Sequence, residues 1–214
     1  MAAEYDSRAL RERLDQGLAL LDLNPDLEQR ERLLGFVRLL ARWNQAYNLT
    51  AVRDPWDMVP RHLLDSLAVS RYLGDGPILD AGTGPGLPGL PLAVVSPARA
   101  FFLLDSNGKK VRFVRQAVME LGLSNVTVVQ ARMESYRTKR KFATIVSRAV
   151  AAIPEILSGV RDLLARPARL LLMTGRHTRP VMDGLNPRPY SIEVHPLRVP
   201  YLEGQRHLID IRFD

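Results

Sequence analysis

Apolar residues at helical spacing mark the N-terminal part of the chain. Four leucines recur at intervals of four, four and three residues: Leu10, Leu14, Leu18 and Leu21. This spacing predicts an amphipathic helix, and after a break at Asn24-Pro25 the residue Asp26 is suited to cap a second, strongly apolar helix. No strand pattern precedes these helices. We therefore predict that residues 1–70 form a helical extension packed on an α/β body at residues 71–214.

The rest of the chain alternates between short apolar runs and helical patterns, which predicts an α/β sheet. Strands are predicted at residues 77–80, 100–105, 126–130, 142–149, 169–173, 190–199 and 206–213. We expect a helix at 153–164, separated from the fifth strand by Pro167, and a short helix at 178–185. The link between the last two strands is too short for a crossover, so they pair antiparallel. A Rossmann-like, mixed seven-stranded sheet with an antiparallel terminal strand is typical of class I S-adenosylmethionine methyltransferases, whereas dinucleotide domains have six parallel strands.

A glycine-rich loop follows the first predicted strand. It reads Asp80-Ala81-Gly82-Thr83-Gly84-Pro85-Gly86-Leu87-Pro88-Gly89. Glycine tolerates positive φ and lets a ligand approach the backbone, so Gly82, Gly84 and Gly86 are predicted to bind the cofactor. The pattern D-x-G-x-G-x-G matches the first motif of the methyltransferases. The G-x-G-x-x-G pattern of NAD-type enzymes also fits, but it begins two residues later and has proline at two variable positions, so we favour the methyltransferase interpretation.

The composition indicates a cytoplasmic protein with a polyanionic partner. The chain has no cysteine and four histidines without paired metal-ligand spacing, so we expect neither a disulfide framework nor a metal site. No apolar run is long enough to cross a membrane and no signal peptide is recognisable, so we expect no contact with a membrane. The net charge is +7, and between Ser106 and Lys141 nine Lys/Arg stand against two Glu. Such clustering favours a nucleic acid, without separating RNA from DNA.

Charged residues before the glycine loop and after the fourth strand are candidates for contact with a substrate. Arg61, His62 and Asp65 lie three or four residues apart, so a helix places them on one face. Alone they would indicate an exposed ion pair and a surface histidine, but their position also permits contact with a substrate. Arg148 follows a buried strand at the edge where α/β enzymes bind ligands, so we expect it to face the site. The alternative is a structural ion pair across the crevice, with Glu134 as the partner.

The second strand ends at Asp105, and the helix after it carries a basic face. An acid at this position accepts hydrogen bonds from ribose hydroxyl groups in both nucleotide interpretations, and it can equally cap the helix. Lys109, Arg112 and Arg115 fall opposite the apolar face of this helix. These three side chains are therefore either solvated or bound to phosphate groups.

The motifs together resemble those of the RsmG family, bacterial small-subunit ribosomal RNA methyltransferases also called glucose-inhibited division protein B. The resemblance rests on Trp43-Asn44, Tyr47-Asn48-Leu49-Thr50, Arg61-His62-Leu63-Leu64-Asp65-Ser66, the glycine loop, Leu104-Asp105-Ser106, Lys110-Val111-Arg112-Phe113, Ser147-Arg148-Ala149 and Arg206-His207-Leu208. It implies transfer of a methyl group from S-adenosylmethionine to N7 of one guanine in 16S ribosomal RNA.

The resemblance also implies a set of contacts. Cofactor contacts are expected from Gly82, Leu87, Met133, Glu134 and Arg148, with Asp105 at the ribose. From their positions and from the clustering of positive charge, rather than from the resemblance, RNA contacts are expected from Arg61, His62, Lys109, Arg112, Arg115 and Arg148. The partner is expected to be 16S RNA, the small ribosomal subunit or its assembly precursor, and the protein a monomer. One position departs from the family, because Thr174-Gly175 stands where Lys-Gly is usual. A basic substrate contact there is lost unless Arg176 replaces it.

The chain lacks the motifs of methyltransferases that act on other atoms of a base, which agrees with methylation at N7. The chain has no cysteine nucleophile for a pyrimidine C5, and Ser147-Arg148-Ala149-Val150 replaces the Asn/Asp-Pro-Pro-aromatic motif of exocyclic-amine methyltransferases. Guanine N7 has an in-plane lone pair, so we assign no general base and expect alignment of the reactants to suffice. Two other classes stay open, namely an NAD-type oxidoreductase and a methyltransferase-fold RNA-binding module without catalysis.

Overall fold

The structure of the chain is a computed structural model. It describes residues 7–148, 153–175 and 190–214. Within these ranges no helix is both long and apolar enough to cross a lipid bilayer. The short helix predicted at 178–185 and the residue Arg176 lie outside the described residues.

Two helices open the described chain, as the leucine spacing predicts. α1 spans Ser7–Leu20 and α2 spans Leu27–Tyr47. Asp26 caps α2, since its carboxylate accepts a hydrogen bond from the Gln29 amide at 2.8 Å and the Gln29 side chain bonds back to the Asp26 amide. Asn48 ends α2 in the left-handed region with φ 49°. The cap at Asp26 confirms the predicted start of this helix.

A helical segment with one wide turn leads towards the sheet. It consists of α3 (Pro55–Met58), a π-helical turn (Val59–Leu64), α4 (Asp65–Leu67) and a 3₁₀ turn (Ser70–Tyr72). The Asp65 amide donates to the Pro60 carbonyl five residues back, which widens the turn. Arg61 is exposed whereas Asp65 is buried, so the two side chains lie on different faces. The predicted ion pair between Arg61 and Asp65 is therefore wrong.

The sheet has seven strands and confirms the predicted fold class. The strands are β1 (Ile78–Ala81), β2 (Phe101–Asp105), β3 (Val126–Gln130), β4 (Phe142–Ser147), β5 (Leu164–Thr174), β6 (Tyr190–Pro196) and β7 (His207–Phe213). Their order is β3-β2-β1-β4-β5-β7-β6, with β1 to β5 parallel and β7 antiparallel to both neighbours. The connecting helices are α5 (Gly89–Val95), α6 (Gly108–Glu120) and α7 (Ile153–Val160). The strand order reverses between β1 and β4, and ligands bind at such a point in open α/β sheets.

One strand boundary differs from the prediction. β5 begins at Leu164, so Pro167 lies inside the strand rather than before it. Phe142 of β4 pairs with Leu164, and the next pair joins Thr144 to Arg169, so β5 carries extra residues at this point. Proline has no N–H to donate to the neighbouring strand, and it is tolerated at such an irregularity because the regular hydrogen bonding between the strands is interrupted there.

The helical extension and the sheet share an apolar core. Phe36 of α2 and Phe113 of α6 are both buried, and their ring centroids lie 6.2 Å apart. Trp43 packs on the same Phe113 ring at 5.6 Å. Aromatic pairs of this kind add about 0.5–1.5 kcal/mol to the burial of their surface. The two parts of the chain share one apolar core. The division into residues 1–70 and 71–214 stays a prediction.

Candidate active site

The carboxylate of Asp80 in β1 holds the glycine loop. Asp80 is fully buried, and its Oδ2 accepts hydrogen bonds from Thr83 Oγ1 at 2.6 Å and from the Gly89 amide at 2.7 Å. Burial raises the pKa of Asp80 to about 6, and these two hydrogen bonds oppose the rise. A Cβ at position 89 would lie 2.7 Å from Oδ2 and 2.9 Å from the Leu103 side chain, so this approach requires glycine. Asp80 thus ties the two ends of the loop together.

The other loop glycines have different surroundings. Gly82, Gly84 and Gly86 have φ values of 75°, 58° and 87°, which favour glycine. A Cβ at Gly82 would have no atom within 4 Å, and one at Gly84 would have only Lys110 Nζ at 4.0 Å, so both positions border open space. A Cβ at Gly86 would overlap the Leu90 side chain instead. Gly86 therefore supports the packing of α5 and lines neither cavity beside the loop.

A cavity of about 240 Å³ lies at the carboxyl ends of β1, β2 and β4. Asp105, Met133 and Glu134 contribute to its wall. Asp105 Oδ2 accepts a hydrogen bond from the Gly84 amide at 2.8 Å, and Oδ1 accepts one from the Asn107 amide at 2.7 Å. A carboxylate has about four lone-pair sites, so Asp105 steadies the loop and keeps acceptor capacity. The wall suits a ligand that carries hydroxyl donors.

A larger cavity of about 660 Å³ adjoins the first at Gly82, which belongs to both walls. Its charged side chains are Lys110, Arg148 and Arg206, together with the carboxylate Asp65. Three cations therefore stand against one acid. An excess of positive charge in a recess attracts polyanions and raises the rate at which they associate.

Asp65 brings two of these cations together. Its Oδ2 lies 3.6 Å from Arg148 Nη1, and its Oδ1 lies 3.4 Å from Arg206 Nε. The side chains of Asp65 and Arg148 are only 13% and 25% exposed. Burial raises the pKa of Asp65, and both guanidinium groups oppose this rise. Burial lowers the pKa of Arg148, and the charges of Asp65 and Asp80 oppose that change. α4 is thereby joined to the end of β4 and the start of β7.

His62 lies inside the protein. The residue is 5% exposed, and its Nε2 is 3.0 Å from Thr50 Oγ1, while buried Nδ1 has no hydrogen-bond partner among the described residues. Burial lowers the pKa of His62 to about 4, and the charge of Arg148 lowers it further. The prediction of a surface histidine is therefore wrong. The expected RNA contact is corrected as well, because a buried imidazole offers RNA no accessible edge.

Comparisons with known proteins agree with this geometry. Residues 29–209 match the family described as rRNA small subunit methyltransferase G. The chain is 46% identical to ribosomal RNA small subunit methyltransferase G of Vibrio campbellii, over 94% of this chain and 96% of that protein. It is 51% identical to the protein of that name from Chromohalobacter salexigens, over 94% of this chain and 96% of the relative. The chain belongs to this family.

A solved structure shares the fold. An S-adenosylmethionine-dependent methyltransferase from Aquifex aeolicus superposes with a TM-score of 0.55, over 75% of this chain and 94% of that one, at 15% identity. At this identity the likeness shows the fold alone. Family membership and fold together confirm the resemblance to RsmG and the class I methyltransferase architecture.

The predicted cofactor residues surround the two cavities, with one exception. Those in the wall of the larger cavity are Gly82, Gly84, Leu87 and Arg148. Those in the wall of the smaller cavity are Gly82, Asp105, Met133 and Glu134. Gly86 is the exception, and ligand contacts of the others stay predictions. The predicted ion pair between Arg148 and Glu134 is wrong, since Arg148 pairs with Asp65 and Glu134 lies 3.8 Å from Arg132.

Three charged residues of the larger cavity are absent from the predicted cofactor and RNA contacts: Asp65, Lys110 and Arg206. Each belongs to a stretch that resembles the family, so the motifs could have identified all three as candidate site residues. The pairing of Asp65 with Arg206 is not visible in any local spacing, because the two residues are far apart in sequence. Only the sheet brings them together.

The basic face of α6 is exposed, as predicted. Lys109, Arg112 and Arg115 point away from the core, whereas Val111 and Val114 are buried against it. None of the three cations forms an ion pair with another residue in the described ranges. Their RNA contacts stay a prediction, as does the contact of exposed Arg61.

Proposed function

We propose that this protein transfers the methyl group of S-adenosylmethionine to N7 of one guanine in 16S ribosomal RNA. The observation that carries the proposal is the pair of cavities meeting at Gly82, one with the acceptor Asp105 and the other with the cations Lys110, Arg148 and Arg206. The relatives are named as methyltransferases of small-subunit ribosomal RNA, and we extend that activity to this chain. The substrate would be the RNA, the small subunit or its precursor, and the enzyme a cytoplasmic monomer.

The residues present fit S-adenosylmethionine. The open space beside Gly82 and Gly84 is space that a Cβ would invade, as expected where a ligand contacts the backbone. Asp105 would accept hydrogen bonds from the ribose hydroxyl groups, and Met133 and Glu134 would flank the adenine. When bound, the cofactor supplies an electrophilic methyl group on a positively charged sulfur.

The protein's contribution is alignment rather than proton transfer. Guanine N7 carries a free lone pair at neutral pH, so no side chain has to remove a proton. Buried His62 contacts Thr50, and buried Asp80 is occupied by the loop, so neither is placed as a base. Arg148 and Arg206 can donate hydrogen bonds to a phosphate or a base carbonyl and so fix the guanine. Holding N7 about 3–3.5 Å from the methyl carbon and in line with sulfur supplies most of the rate enhancement.

Methyl transfer to defined subunits tests the proposal. Small subunits from a strain lacking this protein should accept tritium from methyl-labelled S-adenosylmethionine, and one N7-methylguanine should map to the 16S RNA. Subunits from the parent strain are the control and should accept little label, because their site is already methylated. Absence of transfer would overturn the proposal and favour an RNA-binding module. Competition of NADH with S-adenosylhomocysteine would favour an oxidoreductase, which neither the mixed sheet nor the family supports.

A further inference from the structure

A cation lies between two aromatic rings at the surface. The guanidinium carbon of Arg13 is 4.1 Å from the ring centroid of Trp56 and 4.4 Å from that of Tyr201. Trp56 and Tyr201 are 36% and 42% exposed, respectively. We call Arg13, Trp56 and Tyr201 the aromatic stack. It joins α1, α3 and the connection between β6 and β7.

The aromatic stack is close to the larger cavity. Leu197 and Arg206 both line this cavity, and Tyr201 lies between them in the chain. Tyr201 is four residues from Leu197, so their Cα atoms are at most roughly 14 Å apart. Trp56 belongs to the same helical segment as Asp65, another residue of the cavity wall. An RNA strand entering the cavity would therefore pass near the stack.

Contacts within the protein do not satisfy all the charged and polar atoms of the aromatic stack. Arg13 forms no ion pair with any residue that the structure describes, and its buried Nε has no hydrogen-bond partner among them. The Tyr201 hydroxyl lies 3.4 Å from the Arg13 carbonyl and 3.3 Å from Gln16 Oε1, both long for a hydroxyl hydrogen bond. The guanidinium lies over one face of each ring, and both aromatic residues stay exposed to solvent.

Tyr201 also occupies an unfavourable backbone conformation. Its φ is 64°, at the third position of a turn that the Leu202 amide closes onto the Val199 carbonyl at 3.2 Å, with Pro200 at the second position. Such a position favours glycine or asparagine. Strain of this kind persists only where the surrounding structure holds the backbone in place, and it is concentrated at ligand-binding sites. The ring is thus presented at the surface in spite of its backbone.

We propose that the aromatic stack binds a single-stranded segment of RNA beside the methylated guanine. A base would stack on the outer face of Trp56 or Tyr201, and a phosphate group would pair with Arg13. The proposal rests on the proposed function, since it concerns the same RNA. Exposed aromatic rings and arginine bind unpaired bases without regard to sequence, whereas the bases of a duplex are already stacked inside the helix. The net charge of +7 favours the same polyanion.

Indole fluorescence tests the stacking directly. The chain has two tryptophans, so Trp43→Phe leaves Trp56 as the reporter. A short single-stranded RNA of mixed sequence should quench this emission, and a duplex of the same sequence should quench it much less. Trp56→Phe is the matched control, because it leaves Trp43, which packs on Phe113 and Tyr47 and should not respond. Unchanged Trp56 emission, or equal quenching by the duplex, would overturn the proposal.

Affinity for the same single-stranded RNA gives an independent measurement. Arg13→Gln should weaken binding by roughly fivefold or more, the size expected when a phosphate group loses a charge-assisted hydrogen bond. Arg8→Gln is the matched control on α1, because Arg8 is exposed and bonded to Glu12 at 3.0 Å, and it should change binding by less than about twofold. Tyr201→Asn should weaken binding while the free energy of unfolding is preserved, because asparagine tolerates positive φ. Wild-type affinity in Arg13→Gln and Tyr201→Asn would overturn the proposal.

Methyl transfer separates this inference from the proposed function. Wild-type protein that methylates small subunits while Trp56 stays unresponsive overturns the aromatic stack alone. Wild-type protein that transfers no methyl group overturns the proposed function, whatever Trp56 reports.

Discussion

The carboxylate of Asp65 lies 3.6 Å from the guanidinium of Arg148, and this ion pair joins the N-terminal helical segment to the end of β4. Arg206 shares the same carboxylate from the start of β7. Because these side chains are largely withdrawn from water, removing the carboxylate leaves two guanidinium groups without their counter-charge. The helical extension therefore contributes directly to the wall of the larger cavity.

Asp65→Asn preserves the shape of the side chain and removes its charge. We expect the free energy of unfolding to fall by about 1–3 kcal/mol, less than for a fully buried pair because the arginines keep some contact with water. Methyl transfer should fall while affinity for S-adenosylmethionine changes little. Urea unfolding and calorimetry measure these quantities. Glu12→Gln is the control, since it breaks an exposed pair with Arg8 and should cost less than about 0.5 kcal/mol. Equal losses in both variants would contradict the role of Asp65.

Gly84→Ala tests whether the open space beside the loop belongs to the cofactor. Gly84 has φ 58° and Gly122, at the end of α6, has φ 62°, so alanine meets the same backbone penalty at both positions. We expect each variant to lose about 1–2 kcal/mol of unfolding free energy. Only Gly84→Ala should lose affinity for S-adenosylmethionine, by about tenfold or more in calorimetry. Unchanged affinity in Gly84→Ala would remove the loop from the cofactor site.

The basic face of α6 should contribute to RNA binding through phosphate groups. Replacing Lys109, Arg112 and Arg115 one at a time by glutamine should flatten the logarithmic salt dependence of RNA affinity by about 0.7–0.9 per lost contact. Affinity for S-adenosylmethionine should stay constant, because these exposed residues line neither cavity. A salt dependence identical to that of the wild type would assign the three residues to the solvated surface.

His62 should affect stability against acid rather than the chemical step. Its folded pKa of about 4 lies below the unfolded value of 6.5, so the unfolded chain binds the proton first as the pH falls. The stability that the neutral imidazole contributes is complete above about pH 6.5 and is lost as the pH drops towards 4. At pH 5 the loss amounts to about 2 kcal/mol. The difference in unfolding free energy between wild type and His62→Gln should therefore shrink by this amount from pH 7 to pH 5.

We also expect the rate of methyl transfer to be nearly independent of pH, because His62 is not a general base. Single-turnover methyl transfer at saturating RNA and cofactor should vary little between about pH 6 and 8.5, because no titrating base takes part. A tenfold loss of rate on acidification that disappears in His62→Gln would make this histidine a general base.

Local patterns predict the elements well, and tertiary contacts explain the differences. Leucine spacing and Asp26 suffice for α1 and α2, because helix periodicity and capping are properties of adjacent residues. Pro167 indicates a boundary in isolation, yet it fits within β5 at an irregularity set by the pairing with β4. For Asp65 the helical spacing favours Arg61, whereas the observed partners lie directly after β4 and directly before β7.

The aromatic stack shows the same limit. Trp56 and Tyr201 stand in unrelated segments, and nothing in their local sequence relates them to Arg13. The glycine loop is the opposite case, because the positive φ of its glycines and the acid that ties its ends are encoded within a single stretch. Site residues that depend on one stretch are predictable, and those that depend on the sheet order are not.

β7 lies between β5 and β6 in the sheet, although it follows both in the chain. On the ribosome, β6 must emerge before the strand that pairs with it, and it waits without a neighbour until β7 is synthesised. Arg206 directly precedes β7, so the positively charged wall around Asp65 is completed at the same late moment. A nascent chain therefore lacks part of the wall of the larger cavity until synthesis reaches its last strand.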